Sequence, residues 1–316
     1  MALRTSPSLP EPPGWLDPSL YPFAHHWIDL SGNHVHFVDE GAGPPLLLLH
    51  GNPTWSFVFR DLIRALRDTY RCIAPDYPGF GLSVPRPGYH ATPEEHAVVV
   101  EQLVQALDLR DVTLMVHDWG GPIGLGVAGR HPDRFRAFVI GNTFAWLADG
   151  EPTLERFSQV MGGPIGWFLI RYFNAFVNLL IPLGVQRTKL PRAVLEHYRW
   201  PFRRSRSARL PTWVFPRAIL HSRRYLTQVE ATLPRLAGKP ALIVWGERDP
   251  AFRARERRRF EAIFPRHRTV ILQGAGHYIQ EDAPREIVEA IRAWLSAEGE
   301  AARGRDARVL PGQAAS

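Results

Sequence analysis

Four leucines in succession, Leu46 to Leu49, stand between Pro44-Pro45 and His50-Gly51. So short a run with no polar alternate suits a strand buried on both faces. Covering both faces takes helices, and the rest of the chain supplies them in alternation. Strands are predicted at Ile28–Leu30 and Asn33–Asp39 around the Ser31-Gly32 turn, then at Leu46–Leu49, Arg71–Ala74, Val112–Val116, Arg136–Ile140, Ala241–Trp245 and Thr269–Leu272. Helices are predicted at Ser56–Ala65, Thr92–Leu107, Gly121–Arg130, Arg255–Ile263 and Pro284–Leu295. Thr92-Pro93-Glu94-Glu95 reads as a cap with proline at the first helical position. Such alternation is the signature of a mostly parallel α/β sheet flanked by helices, here with eight strands.

The interval from Phe144 to Pro234 breaks the pattern. It holds aromatics at helical spacing and six prolines between 164 and 216, and no strand-then-helix unit. It reads as a helical cap inserted after the sixth strand, where it can roof a site at the strand ends. The expected organisation is a main domain over 15–143 and 235–298, the cap over 144–234, and a flexible tail over 299–316. The first 20 residues, rich in proline, are expected to lie over the surface.

The 45% hydrophobic and 22% charged content excludes wholesale disorder, collagen and coiled coil. A single cysteine, Cys72, removes any need for an oxidising compartment. No apolar stretch approaches the roughly 20 residues that span a bilayer. A cytoplasmic location without membrane contact is expected. Of 38 basic residues 36 are arginine, and the net charge is +7. Clusters at Arg199–Arg209 and Arg253–Arg259 raise nucleic acid binding, yet neither matches a recognised motif, and none is expected.

Chemistry concentrates at three strand ends. Val112–Val116 runs into His117-Asp118-Trp119-Gly120-Gly121 and then a helix, the context of a sharp turn that lifts Asp118 above the sheet. Gly246-Glu247-Arg248-Asp249-Pro250 follows one later strand, and Gly274-Ala275-Gly276-His277 follows another. Nucleophile, acid and histidine stand in the order of an α/β-hydrolase triad: Asp118, Asp249, His277. His50-Gly51-Asn52-Pro53-Thr54-Trp55, after the leucine strand, can offer a backbone N–H and the Asn52 amide beside Asp118.

An aspartate at the apex changes the reaction. A serine there needs a base to attack; a carboxylate is already ionised at pH 7. Asp118 can attack an sp3 carbon bearing a leaving group, and His277 is free to activate water against the resulting ester. This argues against a serine esterase and favours alkyl halides or epoxides. A halide wants fixed N–H donors in a dry pocket, for which Trp119 and Asn52 are candidates. An epoxide wants O–H donors, for which the cap offers Tyr172, Tyr198 and Tyr225.

At these motifs the chain resembles the haloalkane dehalogenases of the α/β-hydrolase superfamily, over about Trp15 to Leu295. The resemblance runs through Tyr21-Pro22-Phe23, Phe37-Val38-Asp39-Glu40-Gly41, the Asn52 loop, Ala74-Pro75-Asp76, Pro78-Gly79-Phe80-Gly81, the Asp118 turn, Tyr198-Arg199-Trp200-Pro201-Phe202 and Phe215-Pro216-Arg217. The family places its acid after either the sixth or the seventh strand. Ile140-Gly141-Asn142-Thr143-Phe144-Ala145 holds no carboxylate, so the resemblance implies Asp249. It also implies halide donation by Asn52 and Trp119, whose backbone N–H groups form the oxyanion hole. In one subgroup the second donor is a cap tryptophan, which makes Trp146, Trp167 and Trp200 suspects. The implied activity is hydrolytic dehalogenation to a primary alcohol through a covalent aspartyl ester, with a small apolar halogenated substrate, water and halide as partners. No cofactor or metal is expected, and a homo-oligomer is possible. The alternatives are an epoxide hydrolase with the same triad and a non-catalytic α/β-hydrolase-like binding protein.

Overall fold

The computed structural model describes residues 13–308, with side chains to 298. The leucine run becomes the centre of an eight-stranded sheet of order β1-β2-β4-β3-β5-β6-β7-β8. The strands are β1 (His26–Leu30), β2 (Asn33–Glu40), β3 (Pro45–Leu49), β4 (Arg71–Pro75), β5 (Val112–Asp118), β6 (Phe135–Thr143), β7 (Ala241–Gly246) and β8 (His267–Leu272). β2 pairs antiparallel with β1 and β4, and the other pairings are parallel. Leu46 to Leu49 and every residue of β5 and β7 are buried, as apolar strands covered on both faces must be.

In chain order the helices are α1 (Arg60–Leu66), α2 (Pro93–Ala106), α3 (Gly120–Arg130), α4 (Pro152–Met161), α5 (Pro164–Phe173), α6 (Ile181–Gly184), α7 (Arg192–Arg199), α8 (Leu210–His221), α9 (Arg223–Thr232), α10 (Ala254–Ile263), α11 (Ile279–Asp282) and α12 (Pro284–Arg308). Thr92 caps α2 as its sequence requires: its hydroxyl accepts from the Glu95 N–H, and the Glu95 carboxylate accepts from the Thr92 N–H. The predicted helix 56–65 starts as a 3₁₀ turn, Ser56–Phe59, before α1.

The chain leaves β3 toward β4 and returns to β5 on the other side of β3. That reversal opens a crevice at the carboxyl ends of β3 and β5, where a parallel sheet places its ligands. Leu49 pairs with Val116, so the Asn52 loop and the Asp118 turn emerge side by side.

Between β6 and β7 all the regular structure among the described residues is helical. The excursion serves two places. Its α4 to α8 section includes residues lining the crevice. Its last helix, α9, packs on α3, where Tyr225 donates to the Pro122 carbonyl at 2.9 Å.

Two terminal expectations change. Residues 1–12 lie outside the described residues, but the segment after them does not merely cover the surface. Leu16, Tyr21 and Phe23 are buried, and Trp15 stacks on Trp200 of the excursion. At the other end α12 continues to Arg308, well into the stretch expected as a tail, whereas 309–316 lie outside the described residues.

Candidate active site

Asp118 ends β5 at φ 50°, and Gly120 then opens α3. This left-handed residue is the sharp turn that the strand-to-helix pattern demanded; aspartate tolerates it better than most residues. The turn is possible because nothing protrudes beside it. A Cβ on Gly120 would sit 2.9 Å from the Leu49 carbonyl carbon, and one on Gly51 would sit 2.6 Å from Asp118 Cγ.

The Asn52 backbone N–H donates to Asp118 Oδ1 at 2.6 Å, and the nearby Trp119 backbone N–H also favours the charged carboxylate. His50 steadies the loop: its Nδ1–H donates to the Gly51 carbonyl and its Nε2 accepts from the Tyr77 N–H. Burial holds His50 neutral, with a pKa lowered to about 4.

His277 Nδ1 donates to Asp249 Oδ2 at 3.0 Å, and His277 Nε2 faces Asp118 Oδ2 at 3.8 Å. The other Asp249 oxygen accepts from the Ala251 N–H. Burial raises the Asp118 pKa, a shift opposed by His277 and by the two backbone N–H groups. For His277, burial favours the neutral ring, but Asp249 and then Asp118 favour the cation, and the pKa ends above its ordinary value.

These residues meet at a cavity of about 350 Å³. Its polar lining is sparse: Asn52, Asp118, Trp119 and His277 converge among Phe144, Leu154, Phe157, Phe176, Ile219 and Phe252. Among the described residues nothing accepts from the Trp119 indole N–H, whereas the Asn52 amide donates to the Thr212 carbonyl of α8 at 3.2 Å. One Asn52 amide proton is therefore spent on α8, and the second remains unspent.

The suspected tryptophans lie elsewhere. Trp146 packs on Phe260, Trp167 is exposed, and Trp200 stacks on Trp15. Nor do the three cap tyrosines reach the cavity. Tyr172 is exposed, Tyr198 donates to Glu281, and Tyr225 is spent on Pro122. The epoxide alternative thus loses its expected O–H donors. The cavity's one tyrosine, Tyr278, follows the histidine directly.

Sequence reasoning missed the residues that tie the loops together. Asn142, in the stretch after the sixth predicted strand that holds no carboxylate, joins two of them. Its Oδ1 accepts from the Gly246 N–H at 2.8 Å, and its Nδ2 donates to the Gly276 and His277 carbonyls. Thr143 donates to the Asp118 carbonyl, and His117 Nε2 donates to the His277 carbonyl at 2.9 Å. Asp282 accepts from Gly276, Gln186 and Arg187 N–H groups, linking the histidine loop to the excursion. An asparagine just past a buried strand run was the available signal for the first.

A family model described as alpha/beta hydrolase fold matches residues 44–284. Haloalkane dehalogenase 2 of Mycobacterium tuberculosis is 46% identical over 277 residues, covering 87% of this chain and 96% of the relative. A cis-3-alkyl-4-alkyloxetan-2-one decarboxylase of Shewanella oneidensis is 36% identical over 288 residues, covering 88% and 90%. The crystal structure of a haloalkane dehalogenase from Bradyrhizobium elkani superposes with a TM-score of 0.80 at 25% identity, covering 88% of this chain and 99% of that one. With this fold and these relatives, the chain belongs to the haloalkane dehalogenase family of α/β-hydrolases, enzymes that hydrolyse carbon–halogen bonds.

Proposed function

We propose that Asp118, His277 and Asp249 carry out dehalogenation in two displacements. Asp118 Oδ2 attacks the carbon that bears the halogen, the carbon–halogen bond breaks, and the halide leaves toward the Trp119 indole and Asn52 amide N–H groups. The alkyl ester so formed keeps its carbonyl oxygen, Oδ1, at the backbone N–H groups of Asn52 and Trp119. His277 Nε2 then takes a proton from a water that attacks the Asp118 carboxyl carbon, and Asp249 stabilises the imidazolium. Collapse returns the proton to the departing alcohol and restores the carboxylate.

The observation that carries this reading is the unequal placement of the two Asp118 oxygens: Oδ1 is held by the Asn52 N–H at 2.6 Å, while Oδ2 faces His277 across an apolar cavity. At 3.8 Å the imidazole and the carboxylate are not hydrogen-bonded, which leaves Nε2 free for water. The order of charges also fits. Esterification removes the Asp118 charge that helps to raise the His277 pKa, so the histidine becomes a readier base after the ester forms. The test is a panel of brominated and chlorinated alkanes assayed for free halide. Absence of halide release from every member, by a folded protein, counts against the reading.

A second substrate class is favoured by the similarity to the Shewanella decarboxylase, 36% identical over 88% of this chain. A β-lactone carries an sp3 carbon whose leaving group is its own carboxylate. Attack by Asp118 there opens the ring; loss of CO₂ with expulsion of the Asp118 carboxylate then yields an alkene. No water is deprotonated in that sequence, so it needs His277 less than dehalogenation does. Incubating a cis-3,4-dialkyl β-lactone with the protein and with a His277→Phe variant separates the reactions. Alkene from both supports the second class; none from either removes it.

A further inference from the structure

The helix α5 is apolar nearly all round, yet it buries only Gly166 and Ile170. Such helices belong in a core or against a membrane. Ile165, Phe168, Tyr172 and Phe173 are instead exposed, by 64%, 50%, 42% and 60%. Leu179 and Leu183 in the next segment extend the apolar surface, at 54% and 57%. A contiguous patch of this kind marks an interaction site.

Charge identifies the occupant. Between residues 156 and 229 thirteen side chains are basic, and one, Glu196, is acidic. Glu196 is already engaged by Arg199 and Arg203. Among the described residues no carboxylate pairs with Arg171, Arg204, Arg206 or Arg217. Arg171 lies over the Trp167 ring and Arg206 over the Tyr172 ring, so cations and exposed aromatics share one surface. The arginines of α10 behave differently: Arg257 and Arg259 meet Glu261 and Glu230. An apolar face edged by unpaired arginines is complementary to an anionic bilayer, whose acyl region takes the first and whose phosphates take the second.

The backbone suits a helix lying in the interface. Among the described residues no single helix is long and apolar enough to cross a membrane. Pro164–Phe173 and Phe176–Gly184 form an apolar pair bent by 82°. Leu180 and Leu183 of the second segment also line the active-site cavity, and Leu183 is exposed. The cavity mouth and the apolar face are therefore continuous.

We propose that α5 and the segment after it dock this enzyme on an anionic lipid surface, with the cavity mouth beside the acyl chains. This goes beyond the proposed reaction and stands or falls separately from it. The test is co-sedimentation of the full chain with vesicles of phosphatidylcholine alone and of an equal mixture with phosphatidylglycerol. Binding is expected to the mixed vesicles, weakly to the neutral ones, and to fall as added salt shortens the reach of the attraction. One double variant, Phe168→Ser with Phe173→Ser, removes the apolar contact; another, Arg204→Glu with Arg206→Glu, reverses the charge. Each should lower binding about tenfold or more, since an arginine near such a surface contributes roughly fivefold. Turnover of a short haloalkane in vesicle-free buffer should be unchanged in both. Failure of the native chain to bind mixed vesicles overturns the proposal, as does equal binding by all variants. So does a native dimer that the Phe168 and Phe173 substitutions dissociate, since a second copy then covers the face.

Discussion

The His277 backbone N–H donates to the Gly184 carbonyl at 2.8 Å, which ties the loop after β8 to α6 of the excursion. A Cβ on Gly184 would fall 2.6 Å from the Tyr278 ring and 3.5 Å from His277 Cβ. The excursion thus touches the His277 loop through its backbone, at a position where only hydrogen fits.

Gly184→Ala should displace that loop while leaving the sheet intact. A shift near 1 Å in catalytic geometry costs up to about 100-fold. Steady-state kcat for a short bromoalkane checks this, with circular dichroism to show that the fold persists. Unchanged kcat would mean that the loop absorbs the methyl group.

His277→Phe should leave attack intact and stop hydrolysis. Intact-protein mass after incubation with 1,2-dibromoethane should then rise by the mass of one bromoethyl group, and the adduct should map to Asp118. A folded variant that never acquires the adduct contradicts the two-step scheme.

Asp249→Asn should slow turnover by about 10⁴-fold, on the scale seen when the orienting acid of a triad is neutralised. It should also move the pH profile in a defined direction. Asp249 raises the His277 pKa, so removing its charge lowers that pKa. The histidine must be neutral to act as base, and the acid limb of kcat should therefore shift to lower pH. A shift to higher pH would contradict the assignment.

Trp119→Phe and Asn52→Ala should each cost about 2–4 kcal/mol of transition-state stabilisation, by analogy with an oxyanion-hole donor. That is roughly 30- to 1,000-fold in halide release. The two should differ in one respect. Asn52 also holds the Thr212 carbonyl, so only its loss should loosen α8, read as faster hydrogen exchange there. Equal turnover in Trp119→Phe and the native enzyme would remove the indole from the halide site.

Glu281→Ala should destabilise the whole fold. Glu281 is paired with buried Arg60 at 2.5 and 2.7 Å and accepts from Tyr198, so its loss leaves a buried guanidinium with only the partly exposed Asp61 carboxylate, at 3.4 Å. The expected cost is about 3–5 kcal/mol, measured by urea unfolding. A cost below about 1 kcal/mol would show that water reaches Arg60.

Some of this was written in the order of residues alone. Leu46–Leu49, Val112–Val116 and Ala241–Trp245 had no polar face, and a strand without one must lie inside a covered sheet. Asp118 ends a strand, and Asp249 and His277 each follow one, so local pattern was enough to place them at one edge of that sheet. The leaving-group chemistry was less legible. Trp146, Trp167 and Trp200 were indistinguishable as donors in sequence, because which way a cap helix turns its side chains depends on what it packs against. Tyr172, Tyr198 and Tyr225 were equally open until packing gave the latter two other partners. Asn142 showed no sign of joining two loops, since its partners Gly246 and Gly276 lie over a hundred positions away. Local pattern determines which strand end a side chain occupies. Contacts distant in sequence decide where it points, what its polar atoms bond, and which apolar faces are left uncovered.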